Sequence, residues 1–272
     1  KIKPDLRKSI TILGGSGFNQ FRSTDVVVES WFPLAIYYED LPESALHKEA
    51  LVKHIYALRA SSGEQRTTES ASWTGDIHGV DRIHHDPVFD WLTDQVGSHA
   101  LRYLTILGHD LEKMDVHIQR SWPVIAKKGQ VVSPHAHNTA HVSSVYYISI
   151  PSDGDPGGTS FFNDNRPNEI SHGISSGMTG SYFERNAFNY NSTQYSPIDG
   201  RLLLFPAKLT HSVEPNLTDN DRISVSFDLI ITSREDEVRG SHEFLMPSPS
   251  QWKKVPVGDS EAIRKSVSQQ EA

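Results

Sequence analysis

The stretch SPHAHNTAHVSSVYYISIP, residues 133–151, sets three histidines, His135, His137 and His141, directly before the apolar run VYYISI. The run reads as a buried strand. On extended chain, alternate side chains share a face, so His135 and His137 can aim at one point. His141 begins the run and can point to either face. Imidazoles crowded at the mouth of a buried strand are the feature around which the rest of the chain is read.

Outward from this stretch the pattern stays β-rich. MDVHIQRSWPVIA, GTSFFN, RLLLFP and RISVSFDLII recur between about 113 and 232, separated by Gly, Pro, Asn and Asp. That spacing predicts a β-sandwich or barrel rather than alternating β-α units. Ahead of it, VVVESWFPLAIYY (26–38) reads as strand. Residues 43–60 read as a helix carrying Leu46, Ala50, Leu51, Ile55 and Leu58 on its apolar side. A second helix is better marked: Asp86 can cap it, Pro87 suits its first turn, and Phe89, Leu92, Val96, Ala100 and Leu104 form one face. The glycines of ITILGGSGF (10–18) invite comparison with a phosphate loop. Phe18 and Asn19 stand where a Lys and a Ser or Thr are needed, so a tight turn is expected there. The polar tail contains prolines and reads as extended or loosely docked. The expected layout is a single domain over 1–240, with a mixed helical part (1–112) buttressing a β core (113–232), followed by an extension over 241–272.

Composition narrows the function. With 26 Lys and Arg against 34 Asp and Glu, the net charge is −8, which disfavours a general nucleic-acid or anionic-membrane surface. There is no cysteine, which removes disulfides, thiolate nucleophiles, iron–sulfur clusters and Cys-based zinc sites. A cysteine-free chain suits the cytoplasm. No apolar run approaches the ~18 residues of a membrane span, and the opening KIKPDLRKSI lacks the apolar core of a signal peptide.

Two further segments bear on the histidines. In GRLLLFPAKLTHSVEPN (200–216), an apolar strand ends at Pro206 and His211 follows in the turn. In RISVSF (222–227), Arg222, Ser224 and Ser226 share one face. Imidazole is the commonest protein ligand for iron, zinc, copper and nickel. His135 and His137 from one segment and His211 from a distant one would make a facial set of three, with the opposite positions open. The bland alternative is a His-rich solvated loop, since the chain holds 14 histidines. The usual non-haem iron set is two histidines and a carboxylate. Asp164, in FFNDNR, is the nearest acidic candidate, and it also reads as a turn residue or as a partner of Arg166. His117, His172 and His242 have no partner pattern and read as surface or structural.

Taken together, SWPVIAKKGQVVSPHAHNTAHVSSVYYISIP, GGTSFFNDNR, GRLLLFPAKLTHSVEPN and DRISVSFD resemble the Fe(II)/2-oxoglutarate-dependent oxygenase superfamily, over about residues 28–230. The resemblance implies a mainly β fold, a double-stranded β-helix of jelly-roll or cupin-like type buttressed by N-terminal helices. It implies Fe(II) as cofactor and 2-oxoglutarate as cosubstrate, with dioxygen and a small-molecule substrate as further partners, and release of succinate and CO2. His211 matches the distal iron-binding histidine and His135 the first histidine of the H-x-D motif. Arg222 matches the arginine that pairs with the far carboxylate of 2-oxoglutarate, with Ser224 beside it. Tyr147 matches a tyrosine of prolyl-hydroxylase-like relatives that helps hold that carboxylate. His137 stands where the motif has Asp, which leaves open whether iron is held by three histidines, by two, or with Asp164. No catalytic residue beyond the metal site is implied. Arginine suits the carboxylate because its planar, always charged fork binds one bidentately.

A cupin metal protein is the competing reading. Gly129, His135, His137 and His141 sit at the spacing of the first cupin motif, and His211 fits the second, although Lys208 replaces its glycine. Arg222 discriminates: a cupin has no need of it, and on that reading it pairs at the surface with Asp219 or Asp221. Substrate contacts are expected from two polar segments, 69–85 and 165–197, which carry Trp73, Arg166 and Arg185. Asp164 and His141 are further candidates for touching substrate or supporting the ligands. A small polar metabolite such as an amino-acid derivative is the first expectation and a peptide side chain the second. The oligomeric state, a homodimer included, is left open.

Overall fold

The computed structural model describes residues 19–23, 26–30, 33–62, 68–165, 168, 186, 188–234 and 245–255. The glycines of 10–18, Arg166, His172, Arg185 and His242 lie outside them. Residues 1–36 and 37–272 form two compact units. In the first, β1 (Asn19–Ser23) and β2 (Val26–Ser30) pair antiparallel.

Among its described residues, the second unit contains two antiparallel sheets and two α-helices. Its strands are β3 (Tyr37–Asp40), β4 (Trp73–Thr74), β5 (Met114–Ala126), β6 (Val132–His135), β7 (Val142–Ser149), β8 (Thr159–Phe162), β9 (Ser192–Tyr195), β10 (Arg201–Pro206), β11 (His211–Val213) and β12 (Arg222–Ser233). The larger sheet runs β3-β10-β7-β12-β5-β4 and the smaller β6-β11-β8-β9. This is the mainly β, jelly-roll type of double-stranded β-helix. The strand expected over 26–38 is divided between β2 and β3, with residues 33–36 irregular around Pro33.

The helices are α1 (Ser44–Ser62) and α2 (Asp90–Ile106). Asp86 accepts from Val88 N–H at 3.0 Å and Pro87 opens the 3₁₀ turn that leads into α2. Phe89, Leu92, Val96, Ala100 and Leu104 are all buried, as their spacing predicts, and Tyr103 joins them. Each of the large side chains contributes about 1.5–3 kcal/mol by leaving water. In α1 the buried residues are Leu51 and Ile55, while Leu46 and Ala50 are exposed. The helix is therefore held by a narrower stripe than its sequence suggests. Asp86 also receives His54 Nε2 at 2.6 Å, tying the start of α2 to α1.

Register explains which side chains face the site. β12 lies between β5 and β7, pairing Arg222 with Ala126, Ser224 with Val124 and Tyr147, Ser226 with Trp122 and Val145, and Asp228 with Arg120 and Ser143. Directly paired residues share a face, so this set lines one side of the larger sheet. The other side presents Ile223, Val225 and Tyr146, whose ring meets Trp91 of α2 at 6.1 Å. With both faces covered, β12 is buried almost throughout. In the tail, Ser233 N–H donates to the Met246 carbonyl at 2.8 Å, docking part of residues 245–255 on the end of β12. No helix among the described residues is long and apolar enough to cross a membrane.

Candidate metal centre

The smaller sheet brings two histidines face to face. His135 ends β6, His211 begins β11, and the two are direct partners in register. His137 lies beyond the end of β6, not on the strand, and its N–H donates to the Ala207 carbonyl at 2.9 Å. The three ring centroids are 4.3 Å (His135–His211), 5.1 Å (His135–His137) and 5.1 Å (His137–His211) apart. One nitrogen from each lies within 4.8 Å of the others, the single such grouping of potential metal ligands among the described residues. His211, expected in a turn, opens a strand instead.

The opposite nitrogen of each ring is fixed. His135 Nδ1 meets the Ser133 carbonyl at 2.8 Å, and His211 Nδ1 meets the Leu209 carbonyl at 2.9 Å. A carbonyl only accepts, so both Nδ1 atoms carry the proton and both Nε2 atoms are left unprotonated, that of His135 lying 3.1 Å from His137 Nε2. His137 Nδ1 meets Asp228 Oδ1 at 2.6 Å, and Ser143 Oγ donates to the same oxygen at 2.7 Å. Asp228 is 1% exposed. A carboxylate on the far nitrogen of a ligand histidine orients the ring and raises its basicity. Burial pushes His211 down to about 4, with the neighbouring imidazoles adding to the effect. Burial lowers His135 as well. Neutral imidazole is the form that ligates metal, so the donor set fits a divalent ion with nitrogen preference, Fe(II) included.

Asp228 is the residue that sequence reasoning missed. Its signal was present: it continues the even-numbered face of Arg222, Ser224 and Ser226. Ser143, at the start of β7, is the link through which the VYYISI strand supports the histidines. That strand carries none of them.

Arg222 is 2% exposed and is not paired with Asp219 or Asp221. Asp219 binds Lys128, and Asp221 accepts from Tyr56. Arg222 Nη1 donates to the carbonyls of Pro156, Gly157 and Glu214 at 2.6, 2.8 and 2.9 Å. Its Nη2 is buried without a partner. Tyr147 is fully buried with its hydroxyl 2.6 Å from Thr159 Oγ1, and its phenol is raised by burial. Ser224 lies opposite Tyr147 in register.

The remaining candidates are placed elsewhere. His141 Nδ1 accepts from Ile231 N–H at 2.8 Å, a structural bond to β12. Asp164 is exposed and accepts from Thr210 Oγ1 at 2.6 Å, so it does not join the three histidines. Trp73 is 1% exposed and pairs with Ile125, on the face away from Trp122 and Val124, so it is not a free substrate contact. His117 binds Thr232 Oγ1 at 3.0 Å.

The fold thus brings together three histidines able to hold a metal ion and a buried, half-unpartnered arginine. Residues 120–228 match the model of the family described as "Putative 2OG-Fe(II) oxygenase". The match covers the β core with its histidines and Arg222. A search of curated proteins found no match to the sequence. Among solved structures it is similar to a Pseudomonas putida prolyl-4-hydroxylase, at 15% identity over 72% of this chain and 92% of that one, with a TM-score of 0.45. It is also similar to HygX from Streptomyces hygroscopicus with nickel and 2-oxoglutarate bound, at 14% identity over 72% and 82%, TM-score 0.47. A third is a Trichoplax adhaerens prolyl hydroxylase in complex with a hypoxia inducible factor peptide fragment, at 14% identity over 71% and 82%, TM-score 0.48.

Proposed function

We propose that the protein is an Fe(II)- and 2-oxoglutarate-dependent oxygenase that hydroxylates a small polar metabolite, of the kind of an amino-acid derivative, with His135, His137 and His211 holding the iron. The observation that carries the site assignment is the convergence of three Nε2 atoms whose opposite nitrogens are each fixed. Asp228 supplies the negative charge that the H-x-D carboxylate would bring, one bond further out, through His137. When bound, iron and 2-oxoglutarate supply the oxidising power, with succinate and CO2 as products.

The chain's own groups do the positioning. Arg222 is held rigid by three backbone carbonyls on Nη1, which leaves Nη2 to meet the distal carboxylate of 2-oxoglutarate. A buried guanidinium nitrogen with no acceptor is costly, and an arriving carboxylate removes that cost. Tyr147 and Ser224 line the same face and offer hydroxyls to the same end of the cosubstrate. Phe161 and Phe205, whose rings lie 6.1 and 4.8 Å from His211, keep water from that side of the centre. The buried Arg222 favours this reading over a cupin that works without 2-oxoglutarate.

The test is substrate-independent turnover. Purified protein with Fe(II), ascorbate and 2-oxoglutarate in air should release succinate slowly, and His211→Ala and Arg222→Ala should abolish it. Succinate release that is indifferent to Arg222 would remove the cosubstrate role assigned to it.

A further inference from the structure

Beside the metal centre lies a carboxylate with a free oxygen. Asp76 follows β4 in a 3₁₀ turn, Gly75–His78. Its Oδ2 receives Arg120 Nη2 at 3.2 Å, while its Oδ1 is buried without a partner. Arg120 sits on β5 opposite Asp228, on the face that looks toward the histidines. Its guanidinium lies 5.0 Å over the Trp122 ring, and that ring lies 5.6 Å from His137. A single patch, Asp76–Arg120–Trp122, therefore borders the His135–His137 side of the centre.

The position of Asp76 is rigid. A Cβ on Gly75 would come 2.6 Å from the Val80 carbonyl oxygen and 2.7 Å from Pro123 Cδ, so the turn lies flat against β5. Arg120 holds one oxygen and stacks on Trp122, which fixes the direction in which the other points. A buried carboxylate oxygen without a donor is unfavourable, and a charged donor satisfies it about twice as well as a neutral one.

We propose that Asp76 Oδ1 receives a protonated amine of the substrate and so positions it beside the metal centre, with Arg120 and Trp122 as positioning residues. The proposal rests on the oxygenase reading above and narrows its substrate to amine-bearing metabolites. It gives the enzyme a preference for cations despite the arginine in the patch, because that arginine is already engaged.

The experiment uses the Zn(II)- and 2-oxoglutarate-loaded protein and saturation-transfer NMR. The probes are ethanolamine, glucosamine and L-alaninamide, each beside its hydroxyl counterpart, ethylene glycol, glucose and L-lactamide, which nearly keeps the size of the group and removes the charge. The expected result is that amines bind at least tenfold more tightly than their hydroxyl counterparts, and that Asp76→Asn erases the difference. Equal binding of the two forms by the wild type overturns the proposal, as does a preference that survives in Asp76→Asn. The wild-type comparison decides the matter even where the variant does not fold. The Fe(II)–2-oxoglutarate absorption of the same protein, loaded anaerobically with Fe(II) in place of Zn(II), is the separate readout. Its absence counts against the oxygenase reading, whereas absorption without amine preference counts against this inference alone.

Discussion

Asp228→Asn is the perturbation that isolates how the centre works without a coordinating carboxylate. The substitution keeps the side chain's shape and an oxygen able to accept from His137 Nδ1, but removes the charge behind that ring. Loss of such an outer partner typically lowers metal affinity 10–100-fold, about 1.4–2.7 kcal/mol. Asp228→Ala goes further, removing an acceptor that is 1% exposed and shared by His137 Nδ1 and Ser143 Oγ, which then keep only each other at 2.9 Å. Hydrogen bonds to a charged group are worth about 1.5–3 kcal/mol, so this variant should lose stability as well as affinity. Calorimetric titration with Zn(II) gives the affinity, and urea unfolding of the metal-free protein gives the stability. The Asn variant should bind metal 10–100-fold more weakly with a nearly unchanged unfolding midpoint. An Asn variant that binds as tightly as wild type would refute the reasoning, since His137 would then need no charge behind it.

Four other outcomes follow from the same geometry. His211 titrates near 6.5 when unfolded and at about 4 when folded, so between these values the unfolded chain binds more protons. Stability of the metal-free protein should be full above about pH 6.5 and fall by about 3 kcal/mol toward pH 4, and a urea midpoint flat with pH would contradict this. Arg222→Met should weaken 2-oxoglutarate binding about 100-fold, the loss of charge-assisted bonds of about 1.5–3 kcal/mol each, as read by calorimetry on the Zn(II) protein. Gly157 has φ +68° and a Cβ there would lie 2.4 Å from the Glu214 carbonyl oxygen, one of the acceptors of Arg222. Gly157→Ala should therefore weaken 2-oxoglutarate binding while sparing metal affinity. Phe89→Ala, in the first turn before α2, should cost about 3–5 kcal/mol of stability by cavity formation and leave metal affinity unchanged, since the helices pack on the opposite face of the larger sheet.

Much of the β core was legible because its strands carry β-branched and aromatic runs cut by turn residues. MDVHIQRSWPVIA matches β5 residue for residue, and RLLLFP matches β10. The short strands β6, β9 and β11 were not, since segments of three or four mixed residues show no periodicity and exist through their partners. That is why His211 was read as lying in a turn. The second helix was legible from its cap and its five-residue stripe. The first was over-read at Leu46 and Ala50, because helical spacing alone does not say how wide a stripe the sheet can cover. His135, His137 and His211 were legible as a cluster. What completes it was legible only in part: Asp228 continues the face of Arg222, Ser224 and Ser226, but its pairing with His137 spans 91 positions of sequence and nothing local announces that partner. Trp73 illustrates the converse. It lies in a polar segment that looks like a lid, yet two residues of strand pairing turn its ring to the far side of the sheet.

The central claim is that one site holds metal on three histidines and 2-oxoglutarate on Arg222. It is tested most directly by anaerobic addition of Fe(II) and then 2-oxoglutarate, watching for the visible metal-to-keto-acid absorption. The account predicts a band that is lost in His211→Ala and weakened in Arg222→Ala. Tight metal binding with no band on addition of 2-oxoglutarate would contradict it.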